Sequence, residues 1–138
     1  MTHYRDSIMD YDILNLEDFE FQSEITVPNV KLAYKTYGKL NDDASNAVLL
    51  LHGISGTHES AVSVLIKGRN RAIAPEKHFI IAPNMFGNGL SSSPSNTPPP
   101  FDGSDFPSVT IYDNVRAQHK LVTEVLGISK LRLVVGSS

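Results

Sequence analysis

Three short runs, Ala47-Val48-Leu49-Leu50-Leu51, His78-Phe79-Ile80-Ile81-Ala82 and Leu131-Arg132-Leu133-Val134-Val135, are continuously or almost continuously apolar. A strand with one wet face alternates, whereas an unbroken apolar strand has both faces covered, as a parallel strand between helix layers does. Helices are expected between the runs, one near Glu59 to Lys67 and a better one from Ile111 to Leu126. The order is then β-α-β-α-β, a parallel sheet with right-handed crossovers. Thr110 and Asp113 fit a capping box at the start of the second helix, and Gly127 stands at its C′ position. The core stripe of that helix reads as Ile111, Val115, Val122 and Val125 or Leu126.

Upstream the pattern changes to alternation. Phe19 and Phe21 lie between polar residues over Glu17 to Gln22, and Val30, Leu32 and Tyr34 alternate with Lys31 and Lys35. These segments predict half-buried strands, and Pro28-Asn29 between them reads as the turn of an antiparallel hairpin. Residues 1–16 are set apart as an N-terminal extension and residues 17–138 as one partial domain. Gly87 to Pro107 is too rich in Pro, Ser and Gly for a helix and is expected to be a long loop, either functional or a disordered surface insertion.

Composition narrows the partners. The 138 residues are 41% hydrophobic, enough for a packed core, and 12 basic against 15 acidic residues leave a net charge of −3 with no block of like charges. No nucleic acid or membrane surface is expected as a partner. Cysteine is absent, which excludes disulfides and thiolate metal sites and fits a reducing cytoplasm. Asp6, Asp10 and Asp12 interrupt the first sixteen residues where a signal peptide needs an apolar stretch, and the longest later apolar run, Ala47 to Leu51, is too short to span a bilayer.

In an open parallel sheet, ligands bind beyond the carboxyl ends of the strands. Those ends are His52-Gly53-Ile54-Ser55-Gly56-Thr57, Pro83-Asn84-Met85-Phe86-Gly87-Asn88-Gly89 and Gly136-Ser137-Ser138. A buried strand running into Gly-x-Ser is the first half of a nucleophile elbow, which makes Ser138 the candidate nucleophile; the same ending could equally be an expression scar. The loop after the first parallel strand supplies a backbone N–H to the oxyanion hole in that arrangement, so Ile54 is the candidate donor, with His52, Gly53 and Ser55 as candidate substrate-binding neighbours. His52 reads more readily as a histidine bonded to loop backbone than as a catalytic base, because the base of this arrangement follows the nucleophile in the chain. His3, His58, His78 and His119 fail the same test, lack metal-ligand spacing, and are expected at the surface or at strand edges. No metal site is expected. A dinucleotide-binding Gly-x-Gly-x-x-Gly after the first parallel strand is missing.

Four ordered segments resemble the homoserine O-acetyltransferase family: Leu32 to Asn41, Phe79 to Asn84, Asp105 to Gln118, and Leu126-Gly127-Ile128 ahead of Val134-Val135-Gly136. The resemblance runs from about Phe19 to Ser138. It implies the N-terminal half of an α/β-hydrolase fold, an opening antiparallel hairpin followed by three parallel strands with two crossover helices. It also implies a ping-pong acyl transfer in which Ser138 attacks acetyl-CoA and homoserine takes the acetyl group. On that basis the family's aspartate and histidine are expected beyond residue 138, and residues 1–138 alone are expected to be inactive. The implied partners are a small-molecule acyl donor and acceptor, with acetyl-CoA as co-substrate and no bound cofactor; a homodimer is compatible with it. One segment departs from the family. Where acetylhomoserine-forming members usually carry His-Ala-Leu-Thr-Gly-Asp, this chain has His52-Gly53-Ile54-Ser55-Gly56-Thr57, a His-Gly form closer to ester hydrolases. An ester hydrolase and a non-catalytic remnant of the fold are therefore the competing expectations.

Overall fold

A computed structural model describes residues 10–66 and 71–138. Its elements are β1 (Asp12–Glu20), β2 (Thr26–Tyr37), β3 (Ala47–Leu51), α1 (His58–Leu65), β4 (Phe79–Pro83), α2 (Ile111–Lys120) and β5 (Leu133–Gly136). They form one five-stranded sheet in the order β1-β2-β4-β3-β5. The first three strands in that order pair antiparallel, and β3 pairs parallel with both β4 and β5. The three apolar runs are thus the three parallel strands. Alternate residues of β3 feed opposite cores: Ala47 and Leu49 join Phe21, Leu32, Ile81, Leu121 and Ile128 on one face, while Val48 and Leu50 join Ala61, Ile66, Ile73 and Ile80 on the other.

The hairpin forms, but not around Pro28-Asn29. The chain reverses at Phe21–Ile25, where the Phe21 N–H donates to the Ile25 carbonyl at 2.9 Å and Glu24 takes φ +69°. Pro28 lies inside β2, level with a break in the ladder: the register passes from Glu17 opposite Asn29 to Phe19 opposite Val27, and Asp18 between them has φ +47°. The register is the same on both sides of this gap, so Pro28 and Asp18 face each other one to one, and a proline without an N–H is tolerated where that pair makes no ladder bond. The boundary drawn at residue 16 also moves, because β1 starts at Asp12 and Leu16 is buried in the core.

The second helix starts as expected, with the Thr110 hydroxyl accepting from the Asp113 N–H at 3.1 Å and the Asp113 carboxylate accepting from the Thr110 N–H at 2.9 Å. It ends in a π-helical turn, Leu121–Val125, before Gly127 at φ +66°. Its buried face differs from the apolar stripe. Ile111, Val115 and Val125 are exposed, and Asp113, Asn114, Ala117, Gln118, Leu121 and Val122 face inward. Polar residues point in because each has a fixed partner there: Asp113 accepts the Gln22 N–H at 2.8 Å, and Asn114 Oδ1 accepts the Phe86 N–H at 2.8 Å. Lys67, at the end of the first expected helix, lies outside the described residues.

At the end of β2 the chain turns at Gly38, whose φ is +79° and where an added Cβ would stand 2.1 Å from the His78 carbonyl oxygen. Gly38→Ala is expected to lower stability by roughly 2–4 kcal/mol, since left-handed strain and a clash with rigid backbone act together. Urea denaturation of the two proteins side by side measures it; a difference below about 1 kcal/mol contradicts the expectation.

Candidate active site

Parallel pairing brings the carboxyl ends of β3, β4 and β5 to one edge of the sheet, and the loops leaving them meet. Gly53 lies so close to the chain after β5 that a Cβ on it would be 2.8 Å from the Ser137 carbonyl oxygen and 3.4 Å from the Ser138 Cα. Beside this contact is a cavity of about 440 Å³ lined by His52, Gly53, Ile54 and Ser55 from one loop and Met85, Phe86, Gly87 and Asn88 from the other. All four residues singled out in the first loop therefore line one cavity, and Gly53 sets that loop against Ser137–Ser138. The Ile54 side chain is 95% exposed. Its N–H donates to no other described residue.

The first loop closes as a turn, with the Gly56 N–H donating to the Gly53 carbonyl at 3.1 Å and Ser55 at φ +59°. Thr57 then caps α1, its side chain accepting from the Glu59 N–H at 3.2 Å, while the Ser60 hydroxyl accepts from the Thr57 N–H at 2.8 Å.

The second loop carries functional candidates that sequence reasoning passed over. Asn84 is fully buried: its Oδ1 accepts from the His58 N–H at 3.0 Å and from Asn88 Nδ2 at 2.9 Å, and its Nδ2 donates to the Ala33 carbonyl at 3.1 Å. Asn88 Nδ2 also reaches the Gly56 carbonyl at 3.3 Å. The available signal was Pro83-Asn84 at the end of a buried strand, where a polar side chain at a strand end needs a partner.

Gly87 to Pro107 is not a disordered insertion. Ser91, Ser92 and Ser93 are buried, and the hydroxyls of Ser91 and Ser92 accept from the N–H groups of Ala33 and Lys31 at 2.9 and 2.8 Å. They satisfy β2 along the stretch that β4 is too short to cover.

Histidine placement corrects one expectation. His58 is neither at the surface nor at a strand edge; it is buried, with Nδ1 3.1 Å from Asn84 Nδ2 and its ring against Tyr11. Burial lowers its pKa, more than the Asn84 hydrogen bond and the Glu59 carboxylate raise it. His52 uses both ring nitrogens on backbone, at 2.8 Å from the Gly53 carbonyl and 3.0 Å from the Met85 N–H. His3 lies outside the described residues. Among the described residues no group of three His, Cys, Asp or Glu could hold a metal ion, and no helix is long and apolar enough to cross a membrane.

The profile of the alpha/beta hydrolase fold matches residues 46–138. The chain belongs to that family. Among individual alpha/beta hydrolase relatives, the ethyl acetate hydrolase of Pseudomonas veronii is 42% identical over 128 residues, 93% of this chain and 36% of that protein. The homoserine O-acetyltransferase of Chlorobium chlorochromatii is 35% identical over 127 residues, 88% of this chain and 35% of that protein. The solved structure of the acetyl esterase MekB superposes with a TM-score of 0.86 at 42% identity, over 93% of this chain and 37% of that one. The chain thus spans little more than a third of the length of these relatives, and the resemblance to the homoserine O-acetyltransferases extends equally to acetyl esterases.

His58 couples the stability of the fold to pH. Its pKa in the folded state is depressed below the ordinary value of 6.5, so the unfolded chain takes up a proton first and stability falls as pH drops below about 6.5. Asp10, Glu59 and Lys35 are the charged groups acting on it. The urea midpoint is expected to fall between pH 7.5 and pH 5.5 by more in the parent protein than in a His58→Asn variant. An equal fall in both would remove His58 as the source.

Proposed function

We propose that the full-length protein is a serine-nucleophile acyl-transfer enzyme that hydrolyses small acetyl esters through an acyl-Ser138 intermediate. The observation that supports it is the packing of Gly53 against Ser137 and Ser138, which sets a donor loop, its Ile54 N–H without a partner among the described residues, beside the segment that carries the serine. A tetrahedral intermediate at Ser138 would place its oxyanion within reach of such a loop.

The Ser138 Oγ attacks the acyl carbonyl, its proton passes to a base, and the alcohol leaves as that proton returns. Water then attacks the acyl-serine, and acetate is released. The base and its orienting carboxylate are assigned to residues outside these 138, because His52 spends both ring nitrogens on backbone and the His58 Nδ1 is taken by Asn84. No bound cofactor is needed.

Ester hydrolysis is preferred over transfer on the His52-Gly53 form of the loop, since relatives of both activities match the chain at similar identity. The second reading, acetyl transfer from acetyl-CoA to homoserine, rests on the Asp105 to Gln118 segment and the acetyltransferase relatives. Both readings share the acyl-serine.

Mass spectrometry after brief exposure of the full-length protein to p-nitrophenyl acetate or acetyl-CoA is expected to place an acetyl group on Ser138. A label elsewhere, or normal turnover by Ser138→Ala, rules the proposal out. Competition between water and homoserine for that acyl group separates the two readings. A polypeptide of residues 1–138 alone is expected to be inactive, since its Ser138 would carry a carboxylate in place of the following N–H, and losing one oxyanion donor costs about 10²–10³ in rate.

Gly53→Ala is expected to slow acylation of the full-length protein by at least about tenfold, because the added methyl meets the Ser137 carbonyl and must push the donor loop away from the elbow. Unchanged acylation in stopped-flow measurements would show that the close approach is unimportant.

A further inference from the structure

The direction of each hydrogen bond at His52 can be assigned. A backbone N–H only donates, so Nε2, 3.0 Å from the Met85 nitrogen, is an acceptor. The ring is then neutral with its proton on Nδ1, and Nδ1–H donates to the Gly53 carbonyl at 2.8 Å. Asn88 agrees with this assignment. Its Oδ1 accepts from the N–H groups of Leu90 and Ser91 at 3.0 and 3.2 Å, which turns Nδ2 toward His52 Nε2, 3.5 Å away.

The Gly53 carbonyl also accepts from the Gly56 N–H at 3.1 Å. Two donors therefore hold one oxygen. A trans peptide is a rigid plate in which the carbonyl of one residue and the N–H of the next point in opposite directions. Holding the Gly53 oxygen consequently aims the Ile54 N–H. Packing holds the loop at its glycines, Gly53 against Ser137 and Gly56 against Ser60, and not at Ile54, which is 95% exposed between Gly53 and the left-handed Ser55.

We infer that His52 is a positioning residue for the oxyanion donor, its Nδ1–H clamping the Gly53 carbonyl and so setting the direction of the Ile54 N–H through the rigid peptide between them. The Met85 N–H selects the tautomer that makes the clamp. Its loop, which follows β4, thereby controls the donor loop, which follows β3. His52 exchanges no proton with substrate in this role, which rests on the acyl-Ser138 reading above.

The test uses the full-length protein with an acetyl group on Ser138, read by the infrared stretch of a ¹³C-labelled acyl carbonyl and by kcat per titrated active site. His52→Phe keeps a ring and loses both bonds. It is expected to move the carbonyl band to higher frequency and to lower kcat about 10–100-fold with KM changed less than about threefold. His52→Asn puts an amide N–H near the position of Nδ1 and is expected to recover most of both. His52→Gln reaches toward Met85 instead and is expected to recover neither.

If His52→Phe does not fold, the contrast between the Asn and Gln variants decides. A band and kcat unchanged in His52→Phe, or Asn performing no better than Gln, overturns the clamp while acyl-Ser138 stands. Absence of acyl-Ser138 in the unsubstituted protein overturns the reading beneath it, and the clamp with it.

Discussion

β3 is hydrogen-bonded on both sides by parallel neighbours, Ala47 to Leu49 against Phe79 to Ile81 and Val48 to Leu51 against Leu133 to Gly136. That double ladder leaves three strands ending at the same edge, so three loops must share a small volume. It also explains the demand on Gly53. The loop leaving β3 and the chain leaving β5 are neighbours by construction, and a side chain at residue 53 would occupy the space of the Ser137 carbonyl. Continuous apolarity in β3 is the sequence-level counterpart of the same constraint, because Val48 and Leu50 serve one core while Ala47 and Leu49 serve the other.

A second layer of order is polar. Asn84 carries hydrogen bonds to β2 through the Ala33 carbonyl, to the start of α1 through the His58 N–H, and to its own loop through Asn88. A buried amide left without partners costs about 1–3 kcal/mol for each unmet group, so a hub of this kind is stable only when every bond is made at once. Among the described residues no buried side-chain nitrogen or oxygen lacks a partner. The network can therefore fix the relative placement of α1 and two loops more sharply than apolar packing, which tolerates small shifts.

Periodicity and punctuation made the parallel strands, the capping box of α2 and the meeting of the strand ends legible in advance. Burial on α2 was not. Ile111 and Val115 are exposed and Asp113, Asn114 and Gln118 are covered, because apolarity ranks side chains by their cost in water and says nothing about a polar group whose partner comes from a distant loop. Asp113 receives the Gln22 N–H, from a residue far away in the chain. The same blindness hid Asn84, His58 and the two serines, Ser91 and Ser92, that finish β2. Pro28 misled for the opposite reason, since a strong local turn signal was overruled by strand pairing that continues in one register past Pro28 and Asp18, with only their own pair missing from the ladder.

Similarity to esterases and transferases over the same stretch follows from where these residues would stand in the proposed chemistry. A ping-pong acyl transfer uses one nucleophile and one oxyanion site twice, first to take the acyl group from its donor and then to release it to an acceptor. Ester hydrolysis runs through the same two steps with water as the acceptor. A donor loop, its backbone clamp and an elbow therefore serve either outcome without alteration. Discrimination between water and an amino-acid hydroxyl requires different equipment, namely walls that exclude solvent and polar groups that hold the acceptor's ammonium and carboxylate. Among the described residues, the cavity between the loops after β3 and β4 is lined by His52, Ser55 and Asn88, by the apolar side chains of Ile54, Met85 and Phe86, and by glycine backbone, with no charged residue among them. In the proposed hydrolysis, such a lining would seat an uncharged acetyl ester.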